Sequence, residues 1–347
     1  MKCAAALLSA SLLLCACGQV PSARPAAGPV AAADPGAASG RALTAQATGA
    51  WVSGTYTNAY GSRFYRLWVP AGYDGTAARP LMVMLHGCTQ DGYDFAAGTR
   101  MNAQADARNF LVLYPEQGTA YNGADCWNWF YDVNQRRGSG EPALIAGMIA
   151  WVKANYRVDP ARVGAAGISA GGAMSGILAC TYPDQIRRVA VVAGLQYRAA
   201  TTATGSVDAM RSGSLYDPEG RGSSCAAEMG SLRRPMPTLV VHGTADGTVN
   251  PLNGHQTLAQ FAQTNDLASD GADNGNVDNA ADATATATAC RSYTRSDYKD
   301  STTGSVLLRK YIVSGLGHAW PGGSTAGSYS DPCGPDATAL IVGFFGF

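Results

Sequence analysis

The stretch Gly167-Ile168-Ser169-Ala170-Gly171 is the segment of this chain best suited to nucleophilic chemistry. A serine with a glycine two residues away on each side can occupy a strained strand-to-helix turn that lifts its hydroxyl clear of the backbone. A helix beginning at Ala170 would then aim its first N–H groups at a developing oxyanion. Serine alone is a weak nucleophile and needs a base, and the chain offers four histidines. In this kind of turn the acid and then the base follow the serine along the chain. His86 precedes it and is placed in the loop that supplies an oxyanion donor. His242, at the end of LVVHG, holds that region or fills space. His255 falls inside a predicted helix. His318, in GLGHAWPGG after the last predicted strand, is therefore the candidate base.

Asp246, in VVHGTADGTV, follows a buried strand and is the candidate acid that would orient His318 and stabilise its imidazolium. Asp208, Asp217, Glu219 and Glu228 share the interval, but none follows such a strand. The backbone N–H of Ala170 is one expected oxyanion donor. The other is expected from Cys88, with Thr89 as the alternative. A Cys88–Cys126 disulfide would stiffen this loop and join it to CWNWF. The rings of Trp127, Trp129 and Trp320 lie close in sequence to these loops and are candidates for substrate contact, weighed against a role as core filler.

Strands are predicted over 64–73, 79–88, 110–117, 162–169, 186–194, 236–246 and 306–315. Helices are predicted over roughly 94–108 and over 141–156, 170–183, 251–265 and 335–347. The runs LMVML and LVVHG are continuously apolar, as strands buried on both faces should be. Alternating strands and helices imply an α/β layered fold, one domain with a largely parallel central sheet flanked by helices. Residues 206–230 form a second excursion near the sheet rim. Residues 266–290 are a polar, low-complexity insert. Its aspartates at 266, 270, 273, 278 and 282 do not fit an EF-hand pattern, so a solvated loop tied down by Cys290 is expected.

At the N-terminus, a single lysine, a short apolar stretch and small residues read as a signal peptide over 1–17. Leu14-Cys15-Ala16-Cys17 resembles a lipoprotein cleavage box, with lipid anchoring through Cys17, and plain signal-peptidase cleavage is the competing reading. Residues 18–50, rich in Ala, Pro and Gly, read as a flexible leader, leaving 51–347 as the folded domain. Of nine cysteines, Cys88, Cys126, Cys180, Cys225, Cys290 and Cys333 lie beyond the signal region. An even set in an exported chain suggests up to three disulfides, with fifteen connectivities open. The formal net charge is zero, which gives no support for a nucleic-acid partner. Paired arginines at 136–137, 187–188 and 233–234 read as solvated face residues. No close pair of Cys-x-x-Cys motifs is present and histidines are few, so neither a metal nor an organic cofactor is expected. A nicotinamide-binding reading lacks its G-x-G-x-x-G.

Taken together, LHGCTQ, MNAQAD, YPEQ, CWNWF, GISAGGAM, VVHGTAD and GLGHAWPGG…GPDAT resemble the polyhydroxybutyrate depolymerase family of esterases over about residues 50–347. The resemblance implies an α/β-hydrolase fold and an exported carboxylic-ester hydrolase. It implies Ser169, Asp246 and His318 as nucleophile, acid and base, with Cys88 in the oxyanion loop. A polymeric or oligomeric ester, foremost a short-chain polyhydroxyalkanoate, is the implied substrate. Feruloyl and acetylxylan esterases and poly(aspartic acid) hydrolases are related alternatives. A surface polymer-binding lipoprotein on an inactive scaffold is the non-enzymatic one.

Overall fold

A computed structural model describes residues 49–347. The expected signal peptide, the Cys17 anchor and nearly all of the leader lie outside the described residues. The elements run in chain order as β1 (Ala50–Asn58), β2 (Gly61–Val69), β3 (Arg79–Leu85), α1 (Gly92–Thr99), α2 (Met101–Arg108), β4 (Leu111–Pro115), α3 (Gly140–Asn155), β5 (Val158–Ile168), α4 (Ala170–Thr181) and β6 (Arg188–Val192). There follow α5 (Ala203–Ser212), α6 (Pro218–Met229), β7 (Thr238–Gly243), α7 (Leu252–Ser269), β8 (Ala283–Thr288), β9 (Ser292–Lys299), β10 (Val306–Val313), β11 (Trp320–Pro321), β12 (Ser330–Asp331) and α8 (Ala337–Phe345).

Ten strands form one sheet in the order β1-β2-β4-β3-β5-β6-β7-β10-β9-β8. The block from β4 to β10 is parallel, and antiparallel ribbons β1–β2 and β9–β8 flank it. Side-chain alternation along β3 shows why its sequence is apolar throughout. Leu81, Val83 and Leu85 enter one core and Met82 and Met84 the other. The first core packs under α3, α4, α6 and α7, through residues such as Ile149, Met174, Cys225 and Phe261. The second packs under α1, α2 and α8, through Phe95, Met101 and Phe345. The result is the expected three-layer α/β domain.

Strand order reverses beside β3. The chain leaves β3 for β4 on one side, and β5 then returns to pair on the other. Crossovers that diverge from neighbouring strand ends leave a crevice above their C-terminal ends. The loop after β3 and the turn after β5 therefore face each other.

Two details differ from the sequence reading. The single helix expected over 94–108 is two, because Arg100 adopts a left-handed conformation, φ 56°, that ends α1 and opens α2. The 266–290 segment is not wholly loop, since α7 runs on to Ser269 and β8 forms the exposed sheet edge. Between them, buried Asp266 accepts backbone N–H bonds from Asn274, Gly275 and Val277. That aspartate is thus occupied in closing a loop. The excursion over 206–230 is built from most of α5 and from α6.

All six cysteines of the described residues are bridged, as Cys88–Cys126, Cys180–Cys225 and Cys290–Cys333. Cys180–Cys225 ties α4 to α6 across a separation of 45 residues. Closing a loop of that length removes unfolded-state entropy worth about 4 kcal/mol. Replacing both cysteines by serine is expected to lower the thermal midpoint by about 6 °C, measured by differential scanning calorimetry.

Candidate active site

Ser169 occupies the single residue between β5 and α4, with φ 57° and ψ −122°. A non-glycine residue holds such a conformation only when its surroundings impose it, at a cost on the order of 1–3 kcal/mol. Its N–H bonds to Val192 O at 3.0 Å, and its carbonyl accepts the first helical bond, from Ala173 N at 3.0 Å. The glycines on either side answer a measurable need. A Cβ on Gly167 would lie 2.4 Å from Gly171 O, and one on Gly171 would lie 2.0 Å from Leu85 O. The turn is thus packed backbone against backbone on the end of β3.

His318 and Asp246 come from neighbouring strands. Asp246 follows β7 and His318 follows β10, which pair in parallel. The two loops are tied by Thr244 N to Val313 O at 2.9 Å and Ala245 N to Leu316 O at 3.0 Å. His318 Nδ1 lies 2.8 Å from Asp246 Oδ2. The carboxylate can only accept, so Nδ1 carries the hydrogen and Nε2 is left with a free lone pair. Asp246 Oδ1 accepts from Thr248 N at 2.9 Å and Val249 N at 2.8 Å. Burial works against charge on Asp246. The hydrogen bonds from His242 and His318 outweigh it and hold the carboxyl far below the ordinary carboxylate range.

Ser169, His318 and Cys88 line one cavity of about 190 Å³, together with Gly87, Gln90, Ile168, Met210, Thr248 and Tyr329. Among the described residues no hydrogen bond joins Ser169 Oγ to His318. In a free site such a contact is often long and tightens when substrate arrives. Ala170 opens α4 beside the cavity.

The loop carrying Cys88 is held from several directions. Gln117 N donates to His86 Nε2 at 3.0 Å, so His86 Nδ1 carries the hydrogen and donates to Gly87 O at 2.8 Å. Burial pushes His86 toward its neutral form. That bond fixes the peptide unit whose N–H belongs to Cys88. Gly87 N donates to Gln90 Oε1 at 2.9 Å, and Thr89, at φ 63°, donates its N–H to Ala124 O at 2.7 Å. The Cys88–Cys126 disulfide expected from the sequence is present and joins this loop to CWNWF.

The tryptophans are a correction. Trp127, Trp129 and Trp320 are 0%, 3% and 1% exposed and lie in the two cores, away from the cavity wall. Trp127 packs against His86, and Trp320 packs edge-on against Phe95 and donates its indole N–H to Thr338 Oγ1 at 3.0 Å. They support the loops from beneath. The apolar wall is supplied instead by Met210 of α5, Ile168 and Tyr329. Tyr329 has φ 47° and is half exposed, and its hydroxyl lies 3.2 Å from Thr89 Oγ1 across the cavity mouth. No local motif marks Tyr329 or Met210, which reach the site only through the tertiary fold.

Another residue whose place at the candidate site the sequence reading missed is Glu141. It opens the helix predicted over 141–156, and it sits in the first turn of α3, only 3% exposed. Its carboxylate accepts from Gln117 Nε2 at 2.6 Å, Asn128 Nδ2 at 2.8 Å and Asn128 N at 2.8 Å, and pairs with buried Arg63 at 3.5 Å. Burial raises its carboxyl, with the Asn128 bonds and Arg63 opposing. This network pins Gln117, and hence His86, to the loop that follows Cys126. Two of the three arginine pairs are engaged elsewhere. Arg136 bonds Asp132, Arg137 bonds Asp184, Arg187 bonds Pro160 O and Arg188 bonds Phe345 O. Among the described residues no cluster of three or more His, Cys, Asp or Glu could hold a metal ion, and no helix is long and apolar enough to cross a membrane.

Residues 63–282 match the family model described as esterase PHB depolymerase. The chain is 33% identical over 274 residues to a poly(3-hydroxyalkanoate) depolymerase C of Paucimonas lemoignei, covering 79% of this chain and 62% of that protein. It is 30% identical over 236 residues to feruloyl esterase B of Neurospora crassa, covering 64% and 78% of the two chains. The acetyl xylan esterase from Aspergillus awamori shares the fold, with a TM-score of 0.66 at 20% identity over 85% of this chain and 99% of that one. The chain therefore spans less than two thirds of the depolymerase's length.

Replacing Glu141 with alanine would leave Arg63 buried without its carboxylate. The Glu141→Ala variant is expected to lose about 3–5 kcal/mol of stability, read from urea denaturation.

Proposed function

The chain belongs to the PHB depolymerase esterase family, and from that premise we propose that it is an exported serine hydrolase of carboxylic esters, acting on short-chain polyhydroxyalkanoate or its oligomers. One observation carries this reading. Ser169, on its strained turn, shares a cavity with His318, whose other ring nitrogen is bonded to Asp246.

In the proposed reaction His318 Nε2 takes the Ser169 proton as Oγ attacks the ester carbonyl carbon. The carbonyl oxygen becomes an oxyanion held by the N–H groups of Cys88 and Ala170. When the tetrahedral adduct collapses, the C–O bond to the alcohol breaks and His318 gives that alcohol its proton. Water then attacks the acyl-enzyme, His318 again taking and returning a proton, and the acid is released with Ser169 regenerated. Asp246 stays ionised throughout and steadies the transient imidazolium. No step calls for a cofactor.

The cavity wall supports an ester over a polyanion. Its lining residues include no Lys, Arg, Asp or Glu, whereas a poly(aspartic acid) chain would demand cations there. The volume suits a short acyl group. Three disulfides support an oxidising, extracytoplasmic setting, in keeping with the signal peptide and Cys17 anchor expected at the N-terminus.

The test is a panel on protein lacking residues 1–17, following product release from amorphous polyhydroxybutyrate, methyl ferulate, acetylated xylan and poly(aspartic acid). The parent is expected to release hydroxybutyrate, and Ser169→Ala to lose at least about 10⁴-fold in turnover while keeping its circular dichroism spectrum. Full turnover in Ser169→Ala would overturn the mechanism. Release from another polymer alone would move the substrate assignment, and fluorophosphonate labelling absent from the parent would favour a binding protein on an inactive scaffold.

A further inference from the structure

His242 takes no part in the steps above, yet it is buried at the end of β7 and approaches the same carboxylate oxygen as His318. Its Nε2 lies 2.9 Å from Val249 O and 3.4 Å from Asp246 Oδ2. A backbone carbonyl can only accept, so Nε2 carries the hydrogen and Nδ1 the lone pair. Nδ1 is buried and has no hydrogen-bond partner among the described residues. It faces Gly254, where a Cβ would come within 2.8 Å of it. A second N–H on that side would find no acceptor, so the ring is a one-sided donor. The glycine is what lets α7 approach closely enough to lock the ring in this orientation.

The carboxylate of Asp246 thereby accepts three N–H bonds, and the His242 Nε2–H, shared with Val249 O, makes a longer fourth contact at 3.4 Å. Thr248 and Val249 serve Oδ1, while His318 and His242 serve Oδ2. Val249 closes a ring of contacts, giving its N–H to Asp246 and its carbonyl to His242. Removing the His242 donor would strip one partner from the carboxylate. It would also release the backbone turn that orients the other oxygen.

We propose that His242 is a positioning residue, a fixed N–H donor that holds the Asp246 carboxylate in the rotamer that serves His318. This rests on the assignment of Ser169, Asp246 and His318 made above. Its signature is a loss in the chemical step without a loss in substrate binding, because His242 does not line the cavity.

Three variants separate donor geometry from space filling. Glutamine can place its amide nitrogen near the position of the imidazole Nε2, asparagine only near that of Nδ1, and leucine supplies no donor. With p-nitrophenyl acetate, His242→Leu and His242→Asn are expected to lose roughly 10- to 100-fold in kcat with KM nearly unchanged, the worth of one hydrogen bond to a charged group. His242→Gln is expected to stay within about 3-fold of the parent, the residue of imperfect geometry. The rate of fluorophosphonate labelling should fall in the same order. A parent-like kcat in folded His242→Leu would overturn the proposal. Should that variant fail to fold, a His242→Gln no more active than His242→Asn would overturn it equally. Turnover and labelling that persist in Ser169→Ala would instead bring down the serine assignment itself, so the two failures read differently.

Discussion

The end of β3 and the turn after β5 meet with no side chain between them, and most of the site follows from that contact. Gly167 and Gly171 leave the space that Leu85 O and His86 O occupy. Because the two backbones touch, the loop leaving β3 starts within reach of the residue that starts α4. Cys88 and Ser169 then line one cavity without any long side chain having to bridge a gap. A turn this tight places Ser169 in a conformation that an isolated peptide would abandon, and the sheet on either side supplies the restraint. Val192 O on one neighbouring strand and the carbonyls at the end of the other hold it from both flanks.

The remaining machinery is arranged by the same sheet at greater distance. Parallel pairing of β7 with β10 brings Asp246 beside His318 although 72 residues separate them. Around each candidate site residue the interior supplies donors and acceptors whose own directions are fixed. Asp246 is surrounded by N–H groups, while His86 is caught between Gln117 N and Gly87 O. Glu141 extends this rigidity outward, joining β2, the loop after β4 and the aromatic loop through one buried carboxylate. Preorganisation here is a property of linked hydrogen bonds in a low-dielectric interior, where each bond restrains the next.

What the sequence made legible follows from how each feature is encoded. The central strands were readable because burial on both faces requires unbroken apolar runs such as LMVML. Ser169 was readable because it directly follows a buried strand, and Asp246 and His318 because they lie in the loops that leave β7 and β10. β1 and β8 were not, since β1 is at most half-buried along its length and β8, alternating Ala and Thr, is exposed throughout. The break at Arg100 depends on a backbone conformation with no strong residue signature. Trp320 shows the limit of reading by proximity, since it lies two residues from His318 yet turns into the core beneath. Met210 and Tyr329 show the converse, being remote in sequence and joined only at the cavity. Glu141 was visible as a helix-start acid, but its partners come from segments up to 78 residues away.

The three disulfides pair the first cysteine of the folded domain with the second, the third with the fourth and the fifth with the sixth. No bridge spans another, so each closes a contiguous stretch of chain. For a chain that enters an oxidising compartment N-terminus first, each thiol in turn meets its native partner as the next thiol to arrive. Of the fifteen connectivities open to six cysteines, the native one is the one that order of emergence favours without reshuffling. The first of these stretches, Cys88 to Cys126, lies wholly N-terminal to α4. Chain order alone thus suffices to name the pairing found in the folded domain.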